Sequence, residues 1–220
     1  MKKIFITFAV LLTVVFVSNA QLFVGGSLGL STTGGKEKTG SNSVDKESTF
    51  GFEISPKVGY YLSDKFAIGG EVTLGFESEK TPDANGGDDQ KDNFFSWGIA
   101  PFARYSVAEF GKFSVLLEGG VGIFGGTSKT KLGSQSFDGP SLFGFGVNVT
   151  PLLSYSLSDR FNLEMGLNFL NFGFNTWTIK TDGNPDDTKD RTTNFGFGVD
   201  TDNVFQADLG AVTIGFIYKF

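Results

Sequence analysis

The sequence predicts an all-β chain: an eight-stranded antiparallel up-and-down transmembrane β-barrel, preceded by a cleaved signal peptide. Three observations predict it. Successive segments alternate strictly between apolar and polar residues, the period of a strand. Short polar turns alternate with long polar stretches. The first twenty residues run from basic to apolar to small, the order of a secretory leader.

The leader comes first. Lys2 and Lys3 precede an apolar run from Ile4 to Val17, and Ser18, Asn19 and Ala20 fit the three positions before a signal-peptidase cut. A run of 14 residues is too short to cross a bilayer as a helix, which needs roughly 20. The expected division is therefore 1–20 as signal peptide and 21–220 as one barrel domain. No cysteine occurs, so neither a lipoprotein anchor nor a disulfide is expected. Removing the leader's two lysines from 18 basic residues leaves 16 against 24 acidic ones, a net charge of −8. That balance argues against nucleic acid as a partner. Gly (31) and Phe (26) are abundant and Pro is scarce (6); no later segment reads as a transmembrane helix, and glycine with aromatics favours strands.

A three-fold repeat organises the chain. Ile54–Phe66, Ile99–Phe113 and Val149–Phe161 each place Pro four residues before Tyr (Pro56 and Tyr60, Pro101 and Tyr105, Pro151 and Tyr155), then a polar turn, then Phe. Each reads as one β-hairpin. The turns are expected at Ser63–Lys65, about Ser106 to Lys112, and Ser158–Arg160. Between hairpins lie polar stretches expected as long loops: Gly34–Ser48, Ser78–Asp92, Thr127–Pro140 and roughly Thr176–Asn194. The strands between them are expected at about 21–33, 49–62, 66–77, 93–105, 113–126, 142–157, 161–176 and 207–220. Phe195–Val204 also alternates and reads as an outward continuation of the last strand, with a bulge near Asp200–Asn203.

Taking one parity of each strand collects residues such as Leu28, Phe52, Ile54, Val72, Leu74, Trp97, Ile99, Val121, Phe145, Met165, Ile214 and Phe216, with no charge and no amide. The other parity holds Glu53, Lys57, Glu71, Glu77, Arg104, Glu118, Glu164 and Lys219 amid Gly, Ser, Thr and Asn. Eight strands leave an interior only just filled by side chains, so the small, charged parity suits the inside and the bulky parity suits lipid. In lipid an open sheet edge is not tolerated, so the first strand must pair with the last. Glu53, Lys57, Glu71, Arg104, Glu118 and Glu164 are expected to form an ion-pair network plugging the lumen, centred on Arg104. A narrow polar channel is the alternative. Tyr60, Tyr105 and Tyr155 at the turn ends, with Trp97 and Trp177 near the loop ends, are expected in two aromatic girdles. Short turns and both mature termini would face the periplasm, and the long loops the exterior, of a Gram-negative outer membrane.

The chain ends Val212-Thr-Ile-Gly-Phe216-Ile-Tyr218-Lys-Phe220, which resembles the C-terminal strand of outer-membrane barrels. With the leader and eight strands, the mature chain resembles the small OmpA/OmpX-like outer membrane protein beta-barrel domain family throughout, without the separate peptidoglycan-binding domain of full-length OmpA-type proteins. The resemblance implies that Phe216, Tyr218 and Phe220 form a signal read by the barrel-assembly machinery.

Chemistry is mostly excluded. With no His and no Cys, Ser-His-Asp and Cys-His catalysis and imidazole or thiolate metal sites cannot be built. No catalytic, metal or cofactor residue is expected, and a lipid-modifying enzyme is disfavoured because such barrels rely on a His. Gly120–Gly125 matches G-x-G-x-x-G but lies inside a strand, where no dinucleotide site forms. Asn148-Val-Thr150 matches a glycosylation acceptor but is also mid-strand. Asp182, Asn184, Asp186 and Asp187 resemble a calcium loop that lacks its Gly and Glu. The expected role is structural, or a surface interaction through the long loops with an extracellular ligand, in a shell of outer-membrane lipid.

Overall fold

Strands dominate the computed structural model, which describes residues 22–40, 42–83, 87–167, 170–181, 187–199 and 212–220. The expected leader and the bulge near Asp200–Asn203 lie outside these residues. In chain order the strands are β1 (Leu22–Thr33), β2 (Lys36–Thr39), β3 (Asn42–Asp45), β4 (Ser48–Ser63), β5 (Phe66–Thr81), β6 (Gln90–Phe110), β7 (Phe113–Leu132), β8 (Gln135–Ser156), β9 (Phe161–Leu167), β10 (Leu170–Thr181), β11 (Thr188–Val199) and β12 (Val212–Lys219).

Antiparallel pairing closes a ring of eight: β1, β4, β5, β6, β7, β8, β9, β12 and back to β1. The closing seam runs from Phe23↔Lys219 to Leu28↔Ile214, and the Phe220 N–H adds a 3.1 Å bond to the Leu22 carbonyl. The predicted pairing of first and last strands is therefore present. Around the ring, the bulky parity points away from the lumen: Leu28, Ile54, Val72, Ile99, Val121 and Ile214 are all exposed.

Four expectations of the sequence are corrected. First, the polar stretches are mostly strand. The β5–β6 ladder climbs to Thr81↔Gln90, β7–β8 to Leu132↔Gln135 and β10–β11 to Thr181↔Thr188, while Lys36–Asp45 forms the separate β2–β3 hairpin. A sheet already begun satisfies two strands' backbone groups with each added rung, so Thr- and Lys-rich segments continue it without apolar cover. Gly133, with φ 58°, makes the tight β7–β8 turn that a longer loop was expected to fill. Second, the turn expected at Ser106–Lys112 shrinks to Gly111–Lys112, because β6 runs to Phe110 across a register shift between Ser106 and Ala108. Third, the seventh strand is not continuous over 161–176. Its partners on β8 jump from Leu152↔Gly166 to Val149↔Phe172, and the outward parity changes from Leu163 and Met165 to Phe172. Fourth, the alternating stretch from Phe195 belongs to β11, paired with β10, while β12 closes the ring.

The repeated prolines mark gaps in the ladders. β4–β5 pairing skips from Ile54↔Leu74 to Lys57↔Glu71 at Pro56. β6–β7 skips from Ile99↔Ile123 to Phe102↔Gly120 at Pro101. Pro151 sits where β8 changes partner from β10 to β9. Proline has no N–H to donate, so each removes a rung. Pro101→Val should restore the rung on the outward face and raise the unfolding free energy by about 0.5–1.5 kcal/mol; an unchanged or lower midpoint in denaturant titration would show that strain, not the lost donor, opens the ladder.

Inside, large side chains lie over glycines of the next strand. Register sets Phe23 opposite Gly59 and Phe102 opposite Gly69, and each ring occupies the space a Cβ there would need. These rings, with Ala67, Ile217 and Tyr61, form a buried apolar cluster at the turn end of the barrel.

Candidate functional site

Two rungs of the barrel build the interior site. On β4–β5, Lys57 is directly opposite Glu71; on β6–β7, Arg104 is directly opposite Glu118. Inward parity sends all four into the lumen, and Glu164 reaches them from β9. Lys57 Nζ lies 2.9 Å from Glu71 Oε2 and 2.8 Å from Glu118 Oε1. Arg104 donates through Nε (3.0 Å) and Nη2 (2.5 Å) to Glu118 Oε2. It also forms a two-point bond with Glu164, Nη1–Oε1 at 2.7 Å and Nη2–Oε2 at 3.0 Å. The result is one chain, Glu71–Lys57–Glu118–Arg104–Glu164, crossing the interior. Arg104 is 2 % exposed. The planar guanidinium holds two carboxylates at once, a geometry lysine lacks.

Arg104 also links the ion chain to the aromatic cluster. Its guanidinium carbon is 5.5 Å from the Phe23 ring centre and 5.9 Å from that of Phe102, and Lys57 Nζ is 5.3 Å from Phe102. Lys219 sits 5.3 Å over the Tyr61 ring. Phe23, Phe102 and Tyr61 were not singled out in the sequence. Their signal was inward parity on strands that pair with glycine.

Glu53 stands apart. It is exposed and makes no ion pair among the described residues, because register sets it between Gly29 and Gly75 and Lys57 already holds two carboxylates. It lines a cavity of about 340 Å³ with Glu77, Phe94 and Ser96. A second cavity of about 510 Å³ is lined by Thr73, Phe94, Phe124, Asn148 and Asn175. A third, about 290 Å³, reaches down to Lys57, Glu71, Glu118 and Glu164. The turn-end side of Arg104 has only about 60 Å³. The interior is thus roomy and acidic toward the outer hairpins, and filled toward the short turns.

Register lines up the turn-end aromatics: Leu22↔Tyr60, Phe66↔Tyr105, Phe113↔Tyr155 and Phe161↔Tyr218. The Phe113 and Tyr155 rings are 4.7 Å apart, Phe161 stacks on Phe216 at 5.8 Å, and Tyr218 meets Phe220 edge-on at 5.2 Å. At the opposite end Trp97 packs 6.3 Å from Phe143. Trp177 is not part of this girdle. It lies beside Gly144 on the inner face, because the changed parity of β10 turns it inward. Gly120–Gly125 lies within β7 and Asn148–Thr150 within β8. Of the calcium-loop residues, Asp182, Asn184 and Asp186 lie outside the described residues.

The outer hairpins carry their own ion pairs. Lys80 Nζ meets Asp89 Oδ2 at 2.6 Å, and the Asp83 N–H donates to Asp89 Oδ1 at 3.3 Å, clamping the β5–β6 connection. The Lys80 hydrogen bond, then that N–H, hold the Asp89 carboxyl below its ordinary pKa. A lowered carboxylate pKa adds stability that is complete above the ordinary carboxylate range and is lost as pH falls through the folded value. Proteolytic nicking of residues 82–89 should therefore accelerate only in acid, below the ordinary carboxylate range. Equal acceleration in an Asp89→Asn variant would remove the clamp from the explanation.

No family model matches the chain, and no curated protein matches it. Solved structures resemble it in fold. Neisserial surface protein A matches over 92% of this chain and 100% of its own at 15% identity and a TM-score of 0.39. Ail, the attachment invasion locus protein of Yersinia pestis, matches over 92% and 100% at 13% identity and 0.40. The outer membrane protein OprG from Pseudomonas aeruginosa matches over 91% and 96% at 15% identity and 0.49.

Proposed function

We propose that this chain is a non-enzymatic outer-membrane barrel. Its outward apolar belt faces hydrocarbon, the Glu71–Lys57–Glu118–Arg104–Glu164 chain shuts its lumen, and its outer hairpins form the contact surface for an extracellular ligand. The carrying observation is the segregation of faces: Val72, Ile99 and Val121 stand exposed on the outside while Arg104 and Glu164 are buried within. In water this arrangement would expose a continuous apolar belt and spend buried charge for nothing. In lipid the same belt is solvated, and one misplaced Lys or Arg at mid-bilayer costs about 2–4 kcal/mol. Tyr60 follows Phe50, and Tyr105 follows Phe95, by ten residues, matching the roughly 9–11 a tilted strand needs to cross. On this reading the short turns and both mature termini are periplasmic. Phe216, Tyr218 and Phe220 serve as the signal for the barrel-assembly machinery.

The test uses folded protein in detergent and in planar bilayers. Unboiled protein should migrate differently from boiled protein on SDS gels and should give no steady conductance. Equal mobility, with solubility in plain buffer, would overturn the membrane reading; stable open steps would replace the plug with a narrow pore.

A further inference from the structure

Above the apolar belt, charge is sorted by face. Register carries the outward side of Phe76↔Phe95 up to Lys80↔Lys91, and on to Lys131 across β7. The outward side of β10–β11 carries Lys180↔Lys189, with Arg191 opposite Thr178 on the rung of Phe143. The intervening, axis-facing positions hold Glu77, Glu79, Asp92 and Asp190 instead. Outward Asp138 is matched to Lys129 at 3.3 Å. Lys80 and Lys180 each hold one carboxylate, Asp89 and Asp187. Lys91, Lys131 and Lys189 are exposed and make no ion pair among the described residues.

Like charges directly opposite each other on a sheet destabilise it. Here Lys80, Lys91 and Lys131 share one rung and Lys180 and Lys189 another, in a chain whose net charge is −6. Asp89 and Asp187 are taken by Lys80 and Lys180, and the remaining carboxylates on these rungs point to the axis, so Lys91, Lys131 and Lys189 leave room for a compensating anion from outside the barrel. Four residues beyond Phe76 is roughly 13 Å along a strand, and about 10 Å along the membrane normal after tilt. Long lysine stems reach back toward the headgroup layer.

We propose that this outward basic belt binds the phosphates of phosphorylated glycolipid headgroups in the outer leaflet around the barrel. The inference rests on the membrane reading above. Height, outward direction and charge all match headgroup phosphates.

The full mature chain, refolded in dodecyl maltoside micelles, is compared with a Lys91→Ser/Lys131→Ser/Lys189→Ser variant while lipid A is titrated in and the unfolding midpoint is followed. Without lipid A the variant should be at least as stable as the parent. Each basic residue near an anionic surface contributes about fivefold in association, so half-maximal protection should need roughly a hundredfold more lipid A in the variant. Dephosphorylated lipid A should protect neither protein. Equal protection of both proteins by lipid A, or equal protection of the parent by inorganic phosphate or a soluble polyanion, would overturn the proposal. Failure of the membrane reading is separable: such a protein would show no heat-modifiable gel shift in any of these mixtures.

Discussion

Arg104→Ala is expected to lower stability by about 3–5 kcal/mol, the cost of stranding a buried partner charge. Arg104 holds both oxygens of Glu164 and one of Glu118. Lys57 also serves Glu118, at 2.8 Å, so Glu118 keeps a cation after the change and Glu164 does not. The loss should therefore fall mainly on Glu164, and Arg104→Ala combined with Glu164→Gln should recover much of it. Lys57→Met should cost less, because its partners Glu71 and Glu118 are 24 % and 15 % exposed against 9 % for Glu164. Urea titration of the folded barrel in detergent measures all three. A loss below about 1 kcal/mol for Arg104→Ala, with no recovery in the double variant, would mean that water already solvates the pair.

How much of this was legible in the sequence follows from what sets each feature. The two faces come from period-two alternation, which needs no knowledge of neighbours, so Val72, Ile99 and Val121 could be placed outside from their own strands alone; ring closure then follows because lipid tolerates no open sheet edge. Pairwise register cannot be read that way. Lys57 meets Glu71, and Arg104 meets Glu118, because the turns at Asp64–Lys65 and Gly111–Lys112 fix the register. The same logic leaves Glu53 between two glycines, which inward parity alone could not reveal. Polar strands were illegible for another reason: Lys129–Leu132 carries no apolar pattern and is held in the ladder by backbone bonds to β6 and β8. The parity change between β9 and β10 depends on extra residues between two ladders, so Trp177 could not be assigned a face from a single uninterrupted alternation.

Val72 and Thr73 offer the sharpest test of which side meets hydrocarbon, since they are adjacent in β5, similar in size and opposite in face. Val72 pairs with Ile99 in the middle of the belt and is 41 % exposed. Thr73 lines the cavities beside Glu71 and Asn148 and shares a 3.1 Å hydrogen bond with Ser55. Val72→Lys is expected to cost about 2–4 kcal/mol in a bilayer. Thr73→Lys puts its ammonium among acidic walls with Glu53 uncompensated, so the lost hydrogen bond is offset and the net change should stay within about 1 kcal/mol. Reversible unfolding in lipid vesicles reads both values. A barrel packed for water would invert the order, tolerating Val72→Lys at an already exposed position and rejecting Thr73→Lys at an interior one. The two substitutions therefore decide the solvent of the outer face through the sign of a difference, which survives any error in either magnitude.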